Sequence, residues 1–307
     1  MERLKKYTLT FALLLISSLL SGQINGNGNI TMKSFDFTGI EVIEFRVTVD
    51  AEIDLSADND LYVEVDENIF EHLTIKMSGN KLLIDQNSWV EPSQAIKLKL
   101  GTTQLHRIRN TAWGHVELLN MDQERFRADM QVGTLIIKGK VGTLDARTGA
   151  GRIDASKLEA QAASVRIDEN GQILVNASEA IQYGGSGFGR VVYLGDAQLE
   201  RAKSASSELT AIGFEEEMEL RAQEKAVQYV EVKLKNNSGK KKQLRFRGPV
   251  AKPFGYGAPI ARRAVKTETF PVGTRIYEDV TIGKDKLLLI ITEENAGQVL
   301  NLFAEGK

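Results

Sequence analysis

The chain has no cysteine, only 5 prolines and a near-even balance of charge, and each shortage removes a class of protein. Without cysteine there is no disulfide, no thiolate-bound metal, no thiol nucleophile and no lipid-bearing cysteine behind a leader. The chain is 307 residues long, enough to bury a core without such staples. The formal charge is -2, from 39 Lys and Arg against 41 Asp and Glu, and no basic face for nucleic acid stands out at the level of the whole chain.

Long apolar runs are equally scarce. The one at Leu9–Leu20 spans about a dozen residues, against roughly 20 needed to cross a bilayer as a helix. Arg3, Lys5 and Lys6 precede it and Ser21 and Gly22 follow, which is the layout of a secretory signal peptide over residues 1–22. The expectation is an exported protein, periplasmic, outer-membrane-associated or extracellular, with no membrane span once the leader is cleaved.

Three of the five prolines fall between Pro249 and Pro259, yet uninterrupted helical patterns are missing almost everywhere. Alternation replaces them. Leu61-Tyr62-Val63-Glu64-Val65 and Ile96-Lys97-Leu98-Lys99-Leu100 place apolar side chains on one face, as half-buried strands do. Ser78-Gly79-Asn80 reads as a hairpin turn, and Glu67–Leu73, with Asp66 as N-cap, is the one short helix expected. Residues 23–100 therefore form an antiparallel, strand-rich lead-in.

From about Gly101 to Gly213 short apolar pairs recur every 9 to 12 residues, separated by small and polar residues. Val132-Gly133-Thr134-Leu135 is echoed by Val141-Gly142-Thr143-Leu144, and Ile153-Asp154-Ala155-Ser156 by Val175-Asn176-Ala177-Ser178, about 22 residues on. That spacing suits the rungs of a right-handed parallel β-helix, a solenoid whose tight corners call for Gly, Ala, Ser and Asn. The pattern stops near Glu215-Glu216-Glu217. Alternating strands follow at Val230–Lys235, Gln243–Arg247, Arg275–Val280, Lys286–Thr292 and Gln298–Leu302, the spacing of a small β-sandwich over residues 215–307. The expected class is all-β.

Gly26-Asn27-Gly28-Asn29-Ile30, Phe37-Thr38-Gly39-Ile40-Glu41-Val42-Ile43 and Leu61–Asn68 resemble the head GIN domain of auto-transporter adhesin-like proteins, frequent in Bacteroidetes. The likeness continues at Leu158-Glu159-Ala160, Val175–Glu179 and Tyr193-Leu194-Gly195-Asp196, covering roughly residues 26–213. It implies a β-helix over residues 23–214 in the cell envelope or at the surface. Thr111–Glu117 departs from the family pattern, with Trp113 and His115 where small residues are usual. The C-terminal part looks like an accessory β-domain.

Parallel β-helices also carry polysaccharide-active enzymes, so Asp145, Asp154 and Asp168 are the carboxylates to test. They read as solvated corner residues without an arginine, lysine or histidine constellation beside them, and no catalytic residue is assigned. His72, His106 and His115 lack the spacing that brings imidazoles to one metal. Gly184-Gly185-Ser186-Gly187-Phe188-Gly189 lacks the Asp of a calcium repeat and the Lys of a phosphate loop, so neither metal nor cofactor is implied. Trp89 and Trp113 would stack on sugar rings if exposed, the alternative being that they fill the solenoid end. Lys240, Lys241, Lys242, Arg245 and Arg247 form a basic cluster that would meet an anionic glycan or lipid head group, or else a solvated hairpin tip. The reading is a non-catalytic envelope module that binds a glycan, an envelope component or a protein partner. A polysaccharide-active enzyme and a purely structural envelope protein are the alternatives.

Overall fold

The computed structural model describes residues 23–225, 227–249, 252, 254–279 and 285–303. The expected leader at residues 1–22 and Val280, the end of one expected strand, lie outside them. The chain is mostly β and divides into two compact units between Leu209 and Thr210. Among the described residues no helix is long and apolar enough to cross a membrane.

The first unit opens with β1 (Ile24–Asn25), β2 (Ile30–Phe35), β3 (Val42–Phe45), β4 (Val49–Asp54) and β5 (Asn59–Asp66). A 3-10 turn, Glu67–His72, leads to β6 (Leu73–Ser78), β7 (Lys81–Gln86), β8 (Val90–Glu91), β9 (Ile96–Gly101) and β10 (Arg107–Asn110). Four long strands follow, β11 (Gly114–Met130), β12 (Thr134–Thr148), β13 (Arg152–Ile167) and β14 (Gln172–Gly184), then β15 (Arg190–Leu194) and β16 (Gln198–Arg201).

From β10 to β15 each strand pairs in parallel with its successor in sequence, so the chain repeats itself about every 18 to 20 residues: Phe126 pairs with Leu144, and Ile153 with Ile173. Each long strand contributes to two ladders. The first runs through β9, β4 and the N-terminal halves of β11 to β14 to β15. The second runs through β7, β3, β10 and the C-terminal halves of β11 to β14 to β16. One residue in two points inward, which is why the alternating sequence is legible as strands. Leu118, Phe126, Leu135, Leu144, Ile153 and Ile173 are fully buried in these rows. At ~1.5–3 kcal/mol for each large apolar side chain buried, such rows dominate the stability of the stack.

The lead-in departs from expectation. It is mixed, because β2–β5, β5–β9 and β6–β7 are antiparallel while β3–β7, β4–β9, β3–β10 and β4–β11 are parallel. The two ladders thus begin well before Gly101. Alternation reveals a strand face but carries no information on strand direction. The expected helix is the 3-10 turn, and Asp66 caps it without a side-chain hydrogen bond. Its fully buried carboxylate instead accepts from the backbone N–H groups of Gly28 (2.7 Å) and Ser93 (2.8 Å) and from the Ser93 hydroxyl (2.6 Å). Burial pushes that carboxyl up, but the Ser93 and Gly28 donors outweigh it and hold it below the usual range.

The second unit contains β17 (Thr210–Gly213), α1 (Phe214–Lys225), β18 (Tyr229–Lys235), β19 (Lys242–Arg247), β20 (Gly255–Ile260), β21 (Val265–Pro271), β22 (Arg275–Glu278), β23 (Lys286–Ile290) and β24 (Val299–Asn301). A three-stranded sheet, β21-β18-β24, and a four-stranded sheet, β20-β19-β22-β23, share one apolar core. Val232, Leu234, Phe246, Ile276 and Ile291 are its most buried members. The Phe246 ring stacks on Phe270 at 5.4 Å and on Tyr256 at 4.7 Å.

Candidate functional site

Side chains at i and i+2 of a strand share a face, so a strand reading Arg-x-Asp presents both charges outward together. Arg127-Ala128-Asp129 on β11 and Arg166-Ile167-Asp168 at the end of β13 have this form, as does Arg152-Ile153-Asp154 at the start of β13. On the second ladder the register then places Arg107 beside Arg127, and Arg109 beside Asp129, Arg147 and Arg166 in turn. An arginine-rich outer row results.

Ion pairs knit neighbouring strands along it. Asp129 takes Arg107 at 2.6 Å and Arg127 at 3.1 Å, and Asp168 takes Arg147 at 2.6 Å and Arg166 at 2.9 Å. Burial would push both carboxyls up. For Asp129 the arginines Arg127 and Arg107 outweigh it, for Asp168 the arginines Arg147 and Arg166, and both carboxyls are held below the ordinary range. At the lower end Glu44, nearly buried, is held down in the same way by Lys81 at 2.8 Å and Arg46 at 2.7 Å.

A groove of about 310 Å³ opens here, lined by Arg107, Arg109, Arg127 and Arg147 against Asp129 and Asp168, with Asn110, Thr111 and Gln131 beside them. Its arginines outnumber its carboxylates two to one. Arg109 is exposed, and its side chain makes no ion pair or hydrogen bond among the described residues. Its row neighbours are Glu44 and Asp129. Both are already committed to other cations, so the Arg109 guanidinium is left uncompensated.

Trp113 follows within three residues of Asn110, in the connection from β10 to β11, and is 65% exposed; Trp89 is 72% exposed. Neither fills the interior. Trp89 lies in the connection from β7 to β9, and the pairing of β7 with β3 and of β3 with β10, together with that of β9 with β4 and of β4 with β11, stacks that connection on the same side of the unit. The two connections are two strand steps apart, ~10 Å along the stack.

A second, larger groove of about 910 Å³ lies along the opposite connections, lined by Asp122, Glu124, Lys140, Glu159, Asn176 and Ser178 among others. Its one ion pair, Lys140–Glu159 at 3.5 Å, joins two side chains that are each 71% exposed. Such a pair fixes little.

The other sequence candidates do not converge. Asp154 lies on the first ladder, Asp145 on the second, and Asp168 directly after the end of β13 on that second side. The expectation that these carboxylates lack arginine neighbours fails for Asp154, which takes Arg152 at 2.9 Å, and for Asp168 as described; i, i+2 pairing and cross-strand register bring the cations in. Among the described residues no group of His, Cys, Asp or Glu could hold a metal. In the second unit the basic cluster divides. Lys242 pairs with Glu278 at 2.5 Å, and Arg245 with Asp279 at 3.2 Å and Asp285 at 2.7 Å, so Arg245 belongs to a neutralised knot. Lys240 and Lys241 are exposed and form no ion pair among the described residues.

Residues 36–197, just over half of the chain, match the model of the family described as "Putative auto-transporter adhesin, head GIN domain". Among solved structures, a "putative adhesin" from Bacteroides fragilis is 16% identical at a TM-score of 0.50, with 62% of this chain and 98% of that one covered. A "putative adhesin" from Parabacteroides merdae is 13% identical at 0.42, covering 62% and 98%. A "putative lipid binding protein" from Parabacteroides distasonis is 20% identical at 0.43, covering 62% and 99%. At such identity the likeness to the Bacteroides fragilis protein is one of fold. No curated protein matches the chain.

Proposed function

The chain belongs to the head GIN domain family of auto-transporter adhesin-like proteins, and on that premise we propose that it is an exported, non-catalytic binding module of the cell envelope or surface. In this reading residues 1–22 are a cleaved leader, the parallel ladders of residues 23–214 wind as a right-handed β-helix, and residues 215–307 form an accessory β-sandwich. The adhesin names carried by its structural neighbours support the compartment and the binding role.

The observation that carries the reading is the state of the groove carboxylates. Asp129 and Asp168 are each neutralised by two arginines and held ionised. A glycosidase needs one carboxyl of its pair raised and protonated to serve as acid. Fixed charges of this kind hold a ligand without turning it over.

The test has two arms. Protease treatment of intact cells followed by immunodetection is expected to show the mature chain at the surface or released with the outer envelope. Incubation of the purified chain with acidic and neutral polysaccharides is expected to give no new reducing ends and no unsaturated uronates, while a strain lacking the protein loses adherence to glycan-coated surfaces. Release of reducing ends, or a purely cytoplasmic pool, overturns it.

A further inference from the structure

We propose that the arginine groove of the second ladder, with the tryptophan side of the stack, is a docking surface for an extended acidic polysaccharide of the uronic acid type. The inference rests on the binding-module reading and names its ligand class.

Charge selects first. Arg109 is exposed and uncompensated, and Arg147, two strand steps further along the same row, shares its single carboxylate with Arg166. Guanidinium groups at that ~10 Å interval present a sparse array, whereas duplex DNA carries one charge per ~1.7 Å and would meet Asp129 and Asp168 with repulsion. A chain bearing one carboxylate per sugar fits sparse arginines, each able to take a carboxylate bidentately.

The interleaved acceptors select next. Asp129, Asp168 and Gln131 lie in the groove beside the arginines. The two carboxylates are filled by arginine donors, but the Gln131 side-chain oxygen accepts no hydrogen bond among the described residues and favours a ligand that brings hydroxyl donors along with its anions. A sugar acid does so, and a bare phosphate head group does not.

The aromatic rings select last. Trp113 stands at the end of the segment that gives the groove Asn110 and Thr111, and Trp89 sits in the connection stacked two steps below. Exposed indole faces on one side of the stack meet the C–H faces of successive sugar rings, leaving the ring carboxylates to the arginines. The larger acidic groove on the opposite connections has neither feature, since its lining holds no aromatic residue and one cation, Lys140.

The experiment is titration calorimetry of the full chain with polygalacturonate, its fully methyl-esterified form, heparin, phosphatidylglycerol vesicles and duplex DNA. Polygalacturonate is expected to bind, and to weaken as salt approaches 1 M, where the screening length falls to ~3 Å. The ester form is expected to bind at least about tenfold more weakly. Arg109→Gln is expected to cost about tenfold and Trp113→Ala roughly fivefold, with unchanged thermal melts because both side chains are exposed. Lys240→Gln with Lys241→Gln serves as the control and leaves affinity alone.

Equal binding of the ester, wild-type affinity in both Arg109→Gln and Trp113→Ala, or tighter binding to heparin, vesicles or DNA overturns the assignment. So does no binding of polygalacturonate. In that last case loss of adherence in the deletion strain would still uphold the binding-module reading, so the two failures separate.

Discussion

Arg107 donates from both Nε, at 3.0 Å, and Nη2, at 2.6 Å, to the same oxygen of Asp129 across a single strand step. Arg127 joins that oxygen at 3.1 Å from the strand of Asp129 itself. Asp129→Ala leaves two half-exposed guanidinium groups side by side without the carboxylate that they share. The expected cost is about 1–3 kcal/mol, read as a lower urea midpoint at unchanged slope. A midpoint equal to that of the unaltered protein would show that water already screens the three groups.

Acid tests the same carboxylates together. Glu44, Asp129 and Asp168 titrate below their ordinary range, so the protonated unfolded chain binds their protons more readily than the folded one. Their contribution is complete above the unfolded carboxylate values, about 4, and is lost as pH falls through the lower folded values. Thermal melts are therefore expected to hold level from neutrality to about pH 5 and to drop below about pH 4. Asp129→Asn should flatten part of that drop, and an acid limb identical to the parent's would count against it.

The interior rows carry the largest single costs. Phe126 is fully buried and pairs in register with Leu144 in the next strand. Phe126→Ala is expected to cost about 3–5 kcal/mol, measured by urea unfolding, because stacked strands on either side prevent the void from collapsing. A loss under about 1 kcal/mol would mean that the rows repack freely.

Two glycines of positive φ separate strain from crowding. A Cβ at Gly28 (φ +78) meets nothing within 4 Å, whereas at Gly185 (φ +129) it would lie 1.9 Å from the carbonyl oxygen of Ile167. Gly28→Ala is expected to cost about 1–2 kcal/mol for the backbone angle alone. Gly185→Ala should cost clearly more, since the parallel neighbour must shift as well, and hydrogen exchange near Ile167 should rise. Equal losses at the two sites would refute the crowding argument.

What was legible in the chain follows from what alternation encodes. Leu61–Val65 and Ile96–Leu100 read as strands and are strands, because period two survives any partner. Register does not. Val132–Leu135 and Val141–Leu144 echo one another without pairing: they are consecutive sides of one repeat, for Leu135 pairs with Ile153 and Leu144 with Ala163. The echo of Ile153 in Val175 misses by two residues, since Ile153 pairs with Ile173. Positions two apart share a face, so the eye accepts either. The arginine row escaped for a related reason: its members lie about a repeat apart and only register unites them. The recurrent Arg-x-Asp triplets at 127–129, 152–154 and 166–168 were the available signal. The basic cluster misled in the other direction, because Asp279 and Asp285, which neutralise Arg245, are distant in sequence.

Since β12 and β13 each pair, among the described residues, only with the strand before and the strand after, a repeat of 18 to 20 residues is a separable cassette. Duplicating or excising one would lengthen or shorten the charged row by a single strand step while leaving the remaining pairs in register. Reach can thus be tuned in whole increments, independently of the chemistry that any one repeat displays.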